Sequence, residues 1–85
     1  IVLVQDVHSP ASLAAATRAL AEKIAAAGPL ATSGAKRIVT ARLNQGAPEA
    51  AALAQSLRFA LEWSEDVDES ITAHREGRPP SFKGR

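Results

Sequence analysis

Apolar and polar residues alternate with helical spacing along most of the chain, and Pro and Gly divide this pattern into four parts. The first part opens at Ser9-Pro10, where Ser suits a helix cap and Pro suits the first helical position. Asn44-Gln45-Gly46 closes the second part, and Gly77 closes the fourth. We therefore predict four helices with these bounds: Pro10 to about Ala27, Pro29 to about Leu43, Pro48 to Trp63, and Asp66 to about Glu76.

The first seven residues have a different pattern. Ile1–Val7 is rich in β-branched and apolar residues and is followed by a turn signal, which predicts a strand. A lone strand cannot satisfy its backbone hydrogen-bonding groups, and no second strand is predicted. Because the chain also starts with Ile rather than Met, we expect residues 1–8 to be the last strand of a body that precedes this sequence.

The third predicted helix has two apolar faces. One carries Leu53, Leu57 and Leu61, and the other carries Phe59 and Trp63, which are four residues apart. We expect both faces to be covered, either by this chain or by a neighbouring subunit.

In the second predicted helix, Gly34 lies in the interior, where Gly costs about 1 kcal/mol relative to Ala. We expect a close approach of another element to compensate.

Composition supports a helical segment that needs a partner surface. The 85 residues are 46% hydrophobic, but much of this is Ala, and aromatic residues make up only 4%. Ala favours helices yet buries little area. A net charge of +1 argues against a nucleic-acid binder, and the Ala-rich first helix is interrupted by charges, which argues against a membrane span. The absence of Cys excludes disulfides and fits a cytoplasmic protein.

Few residues suggest catalysis or metal binding. His8 and His74 have no second His or Cys at ligand spacing, so we interpret both as structural and predict no metal site. A carboxylate cluster lies where the fourth helix begins: Glu65, Asp66, Asp68 and Glu69. Asp66 and Glu69 have the spacing of a capping box, so we interpret the cluster as a helix start and predict no catalytic residue in this segment.

The tail, residues 78–85, combines a Pro-Pro pair with Phe82, Lys83 and Arg85. Composition alone favours a solvated, frayed terminus. An aromatic ring beside a cation is also suited to stack on an adenine and to meet a phosphate.

Two stretches carry a resemblance to a known family. Ser64–His74 followed by Arg78–Arg85 resembles the C-terminal signature of enoyl-CoA hydratases, the crotonase family. The upstream order agrees with it, since a strand and a helix precede a Gly-Pro-Leu-Ala stretch that leads to Ala35-Lys36-Arg37. The chain departs from the family pattern at three positions: Ser70 for Gly, His74 for an aromatic residue, and Gly77 for Lys.

The resemblance implies a fold. Family members have an N-terminal spiral of ββα units with the acyl-CoA site, followed by a helical region that builds trimers or dimers of trimers. On this reading the segment is all-α after one orphan strand. Residues 1–8 end the missing core, 9–77 form the helical oligomerisation region, and 78–85 form the tail.

The resemblance also implies an activity, the syn addition of water to 2-enoyl-CoA thioesters in fatty-acid metabolism. Acyl-CoA is then the substrate and no cofactor is bound covalently, while the catalytic residues lie before Ile1. Phe82 and Lys83 match residue types that contact coenzyme A, often that of a neighbouring subunit. Isomerase, dehydratase and thioester hydrolase activities remain alternatives, as does a non-enzymatic helical interaction module.

Overall fold

Four helices make up most of the structure, a computed structural model that describes residues 3–85. They are α1 (Pro10–Ala26), α2 (Pro29–Asn44), α3 (Ala47–Glu62) and α4 (Glu65–Glu76). The four predicted helices are confirmed, with ends that differ by no more than one residue. Three of them begin with Pro at the first or second helical position, and Gly46, with φ +123°, separates α2 from α3.

The strand predicted over residues 1–7 is not seen where the structure can test it. Residues 3–9 are exposed and irregular, while Ile1 and Val2 lie outside the described residues. A strand requires a neighbouring strand with which to exchange hydrogen bonds, and residues 3–85 contain none. The assignment of residues 1–8 to the end of a preceding core stays a prediction.

The main packing contact joins α2 to α3, and it is built from small residues. Gly34 and Ala41 of α2 are buried, as is Ala50 of α3. Gly34 faces Leu57 of α3, and a Cβ at this position would lie 3.6 Å from Cδ1 of Leu57, an ordinary van der Waals contact, so the two helices approach each other here but not so closely that Ala is excluded. Small side chains at the contact allow the two helix backbones to come together.

Helix α1 has no such contact in this chain. None of its residues is buried, and Leu13, Leu20 and Ile24 are each about half exposed. The Cα radius of gyration is 16.1 Å, whereas a compact domain of this length would have about 12 Å. The helices therefore do not close around one core, which agrees with the expectation that their apolar faces need a further surface.

Candidate functional site

The C-terminal tail does not extend into solvent but returns along α4. Gly77 ends that helix in the left-handed conformation, with φ +66°, and Arg78 N donates to the carbonyl oxygen of Ala73 at 3.1 Å. These features form a Schellman-type ending that reverses the chain. At the far end, Asp66 N donates to the carbonyl oxygen of Arg85 at 3.0 Å. The tail therefore runs antiparallel to α4 as far as the start of that helix.

Ser64, not Asp66, caps α4. Its Oγ accepts a hydrogen bond from Val67 N at 3.3 Å and donates one to the carbonyl oxygen of Leu61 at 2.7 Å. The predicted capping box of Asp66 with Glu69 is therefore wrong. Because Ser64 caps the helix, the carboxylates of Asp66 and Glu69 are free to accept hydrogen bonds from other parts of the chain.

The Asp66 carboxylate holds the tail backbone. The residue is only 4% exposed, and its two oxygens accept hydrogen bonds from Lys83 N at 2.7 Å and Gly84 N at 2.9 Å. Burying a carboxylate is costly unless it is well hydrogen-bonded, and two consecutive amides satisfy this one. No buried side-chain nitrogen or oxygen in the described residues lacks a partner.

Glu69 holds the tail at a second point. Its Oε1 accepts a hydrogen bond from Ser81 N at 2.7 Å. Oε1 and Oε2 also accept hydrogen bonds from Nη1 and Nη2 of Arg78, at 2.6 and 3.1 Å. The hydrogen bonds from Arg78 and Ser81 favour the charged carboxylate and lower the pKa of Glu69 from 4.5 to about 2. The same pairing raises the pKa of Arg78. We refer to Asp66, Glu69 and Arg78 as the tail clamp.

The clamp places Phe82 and Lys83 differently. Phe82 is half-buried beside a groove of about 200 Å³, and its ring lies 3.8 Å from the position a Cβ would take at Gly28. Leu61 and Val67 also line this groove. Lys83 is exposed, and its ammonium group makes no ion pair within residues 3–85. The two predicted coenzyme A contacts are thus adjacent, one packed inward with part of its surface accessible and the other open.

Neither histidine belongs to the clamp. Nε2 of His8 lies 3.1 Å from Oδ2 of Asp6, before α1, and His74 is in the last turn of α4. Across residues 3–85, no three His, Asp or Glu side chains are placed to hold a metal ion.

The aromatic face of α3 is open in this chain. Trp63 is 80% exposed and Phe59 is 65% exposed. Because no element of the described chain covers this face, any cover must come from another surface.

The chain is structurally similar to enoyl-CoA hydratases. It resembles one from Mycobacterium marinum with a TM-score of 0.84 and 35% identity, covering 98% of this chain and 34% of that one. It resembles another from Mycobacterium tuberculosis H37Rv with a TM-score of 0.85 and 34% identity, covering 98% and 33%. A probable enoyl-CoA hydratase/isomerase from Mycobacterium abscessus gives 0.82 and 29%, covering 96% and 32%.

These matches confirm the predicted resemblance to the enoyl-CoA hydratase/isomerase family. The chain spans about a third of the length of the structures it matches, which is consistent with a helical segment of a larger fold. No family model matches the chain, and no curated protein does. No helix in the described residues is long and apolar enough to cross a bilayer.

Proposed function

We propose that this chain is the C-terminal helical part of an enoyl-CoA hydratase-like enzyme that adds water to 2-enoyl-CoA thioesters. The observation that carries the proposal is the structural match, at 35% identity over 98% of this chain, to an enoyl-CoA hydratase. On this proposal the catalytic residues lie before Ile1, acyl-CoA is the substrate, and the enzyme acts in the cytoplasm.

The role proposed for this segment is assembly into a trimer or a dimer of trimers. Support comes from apolar side chains that the chain leaves uncovered. Two apolar surfaces are of the kind that copies of a subunit bury on association: the half-exposed stripe of α1, and Phe59 of α3 with Trp63 just after the end of that helix.

Coenzyme A contact at Phe82 and Lys83 is the second part of the proposal. The Lys83 ammonium group is free of ion pairs within residues 3–85, so it can meet a phosphate without first breaking a salt bridge. The accessible part of the Phe82 ring lies one residue away and can contact an adenine. In a trimer, the ligand at this tail could be that of the neighbouring subunit.

The reaction is tested with the complete enzyme and a short 2-enoyl-CoA. Hydration removes the conjugated double bond and gives a 3-hydroxyacyl-CoA, which absorbance and mass spectrometry follow. Absence of that product would refute the hydratase proposal.

The same assay separates the alternatives. An isomerase would move the double bond without adding water, and the description of the Mycobacterium abscessus structure as hydratase/isomerase makes this the second candidate. A thioester hydrolase would release free thiol, and a non-enzymatic interaction module would leave every thioester unchanged.

The ligand contact is tested with Lys83→Ala. We expect a higher KM for acyl-CoA and an unchanged KM for the matching acyl-pantetheine thioester, which lacks the nucleotide. Lys36→Ala is the matched control, because it removes one exposed cation from α2, away from the tail. Equal effects of the two variants would remove Lys83 from the site.

A further inference from the structure

We infer that Asp66 and Glu69 are positioning residues for coenzyme A binding, because they fix the tail path that presents Phe82 and Lys83. The inference rests on the proposed function. It adds that Asp66 and Glu69 affect ligand binding through the tail, without contacting the ligand themselves. It is carried by the pairing of these carboxylates with the tail amides on either side of Phe82.

The pairing pins Phe82 from both sides. Ser81 N is held by Glu69 at 2.7 Å, and Lys83 N is held by Asp66 at 2.7 Å. With both neighbouring amides fixed to α4, the Phe82 ring is directed to the groove beside Gly28. The clamp therefore sets the direction of this side chain as well as the path of the backbone.

Asp66 has the stronger hold on Lys83. It binds the amides of two consecutive residues, Lys83 and Gly84, which are 17 and 18 residues away in sequence. Two bonds to adjacent peptide groups leave the backbone at Lys83 little freedom to rotate. The exposed ammonium group then samples only the positions that rotation of its own side chain allows. It therefore loses less conformational entropy on binding a phosphate than it would on a freely moving tail.

A purely structural role would leave a different signature. The clamp could hold the tail only to stabilise α4, in which case its loss would lower stability and affect every substrate equally. A positioning role instead affects ligands that carry the nucleotide and spares those that lack it. The two roles can therefore be separated by substrate.

The test uses Asp66→Asn and Glu69→Gln in the complete enzyme. Asp66 holds Lys83 N with one carboxylate oxygen and Gly84 N with the other, and Asn replaces one of these oxygens with an NH₂ donor, so one of the two tail amides then faces a donor in place of its acceptor. We expect the Kd for coenzyme A, measured by calorimetry, and the KM for acyl-CoA to rise about tenfold with Asp66→Asn, the factor that corresponds to losing about one charge-assisted hydrogen bond. Glu69→Gln keeps the residue's shape and is expected to give a smaller rise, while kcat stays unchanged for both.

Asp68→Asn is the matched control. Asp68 lies between Asp66 and Glu69 on the same helix turn and is exposed, and its carboxylate makes no hydrogen bond within the described residues. Like Asp66→Asn, the Asp68→Asn variant removes one negative charge, but it should leave the Kd for coenzyme A unchanged. Acyl-pantetheine kinetics should be unchanged in all three variants.

Three outcomes would overturn the inference. They are equal loss with acyl-CoA and acyl-pantetheine, an effect of Asp68→Asn as large as that of Asp66→Asn, and no change in either clamp variant. If Asp66→Asn does not fold, Glu69→Gln decides the question by itself.

Calorimetry measures coenzyme A binding directly, so it tests the positioning role independently of the proposed reaction. An enzyme that binds coenzyme A but hydrates no enoyl thioester would refute the reaction, and the variants would still test the clamp. An enzyme that does not bind coenzyme A would refute the clamp's positioning role directly.

Discussion

Two Gly-to-Ala substitutions in this chain should change stability in opposite directions. Gly34 lies inside α2 with helical backbone, whereas Gly77 ends α4 at φ +66°. Ala is the better helix former at the first position and is strained in the left-handed conformation at the second. The same substitution therefore tests two different requirements: at Gly34, whether the packing leaves room for a methyl group, and at Gly77, whether the backbone conformation requires Gly.

The structure sets the magnitude at each position. A Cβ at Gly34 would lie 3.6 Å from Cδ1 of Leu57, an ordinary van der Waals contact, so the methyl group fits. The gain in helix propensity is about 0.5–1 kcal/mol. At Gly77 a Cβ meets nothing within 4 Å, so the cost is conformational only, about 1–2 kcal/mol. The two variants should differ by about 2 kcal/mol, or about thirtyfold in the folding equilibrium.

Urea titrations followed by circular dichroism, with both variants beside the parent protein, measure the free energy of unfolding. We expect a higher urea midpoint for Gly34→Ala and a lower one for Gly77→Ala. Gly34→Val is a further control: its γ-methyl groups extend beyond a Cβ that already lies 3.6 Å from Cδ1 of Leu57, so we expect a lower urea midpoint than for Gly34→Ala. If Gly34→Ala lowered the midpoint, the contact between α2 and α3 would be tighter than the distance to Leu57 indicates, and the reasoning would be refuted.

Three further predictions address the cap, the clamp and the aromatic face. Ser64→Ala should cost about 1 kcal/mol of stability, while Ser70→Ala, exposed within the same helix, should cost little; thermal melts compare them. The folded-state pKa of Glu69, about 2, lies below its ordinary 4.5, so its stabilising contribution should be complete above about pH 4.5 and lost as pH falls toward 2. Carboxyl NMR shifts follow this titration, and an ordinary midpoint would contradict the ion pair. Trp63→Ala should weaken the oligomer in sedimentation velocity, and an unchanged oligomer would exclude Trp63 from a subunit interface.

The helices could be predicted from sequence because their boundaries depend on local chemistry. Pro10, Pro29 and Pro48 mark three starts through a fixed φ and a missing donor. Gly46 and Gly77 mark ends through positive φ. Each signal acts within one turn of its own residue, so no tertiary information is needed to read it.

The tail clamp could not be read in this way, because its partners are distant in sequence. Asp66 at a helix start has two physically reasonable roles, to interact with the helix dipole or to bind a remote donor. Local spacing favoured a capping box with Glu69, although Ser64 stood two residues earlier and was the better cap. The amides that Asp66 does bind become neighbours only after Gly77 reverses the chain.

The clamp's geometry shows which sequence signal would have indicated it. Three residues along a helix span about 4.5 Å, and two residues of extended chain span about 6.6 Å. Carboxylates at positions 66 and 69 can thus reach amides at 83 and 81 of a strand-like tail running the other way, and the longer Glu side chain takes up part of the difference. Pro79 and Pro80 favour the extended conformation that this spacing requires. A carboxylate pair three apart behind a separate Ser cap, followed by a Gly helix end and a Pro-Pro tail, is therefore better interpreted as a clamp than as a capping box.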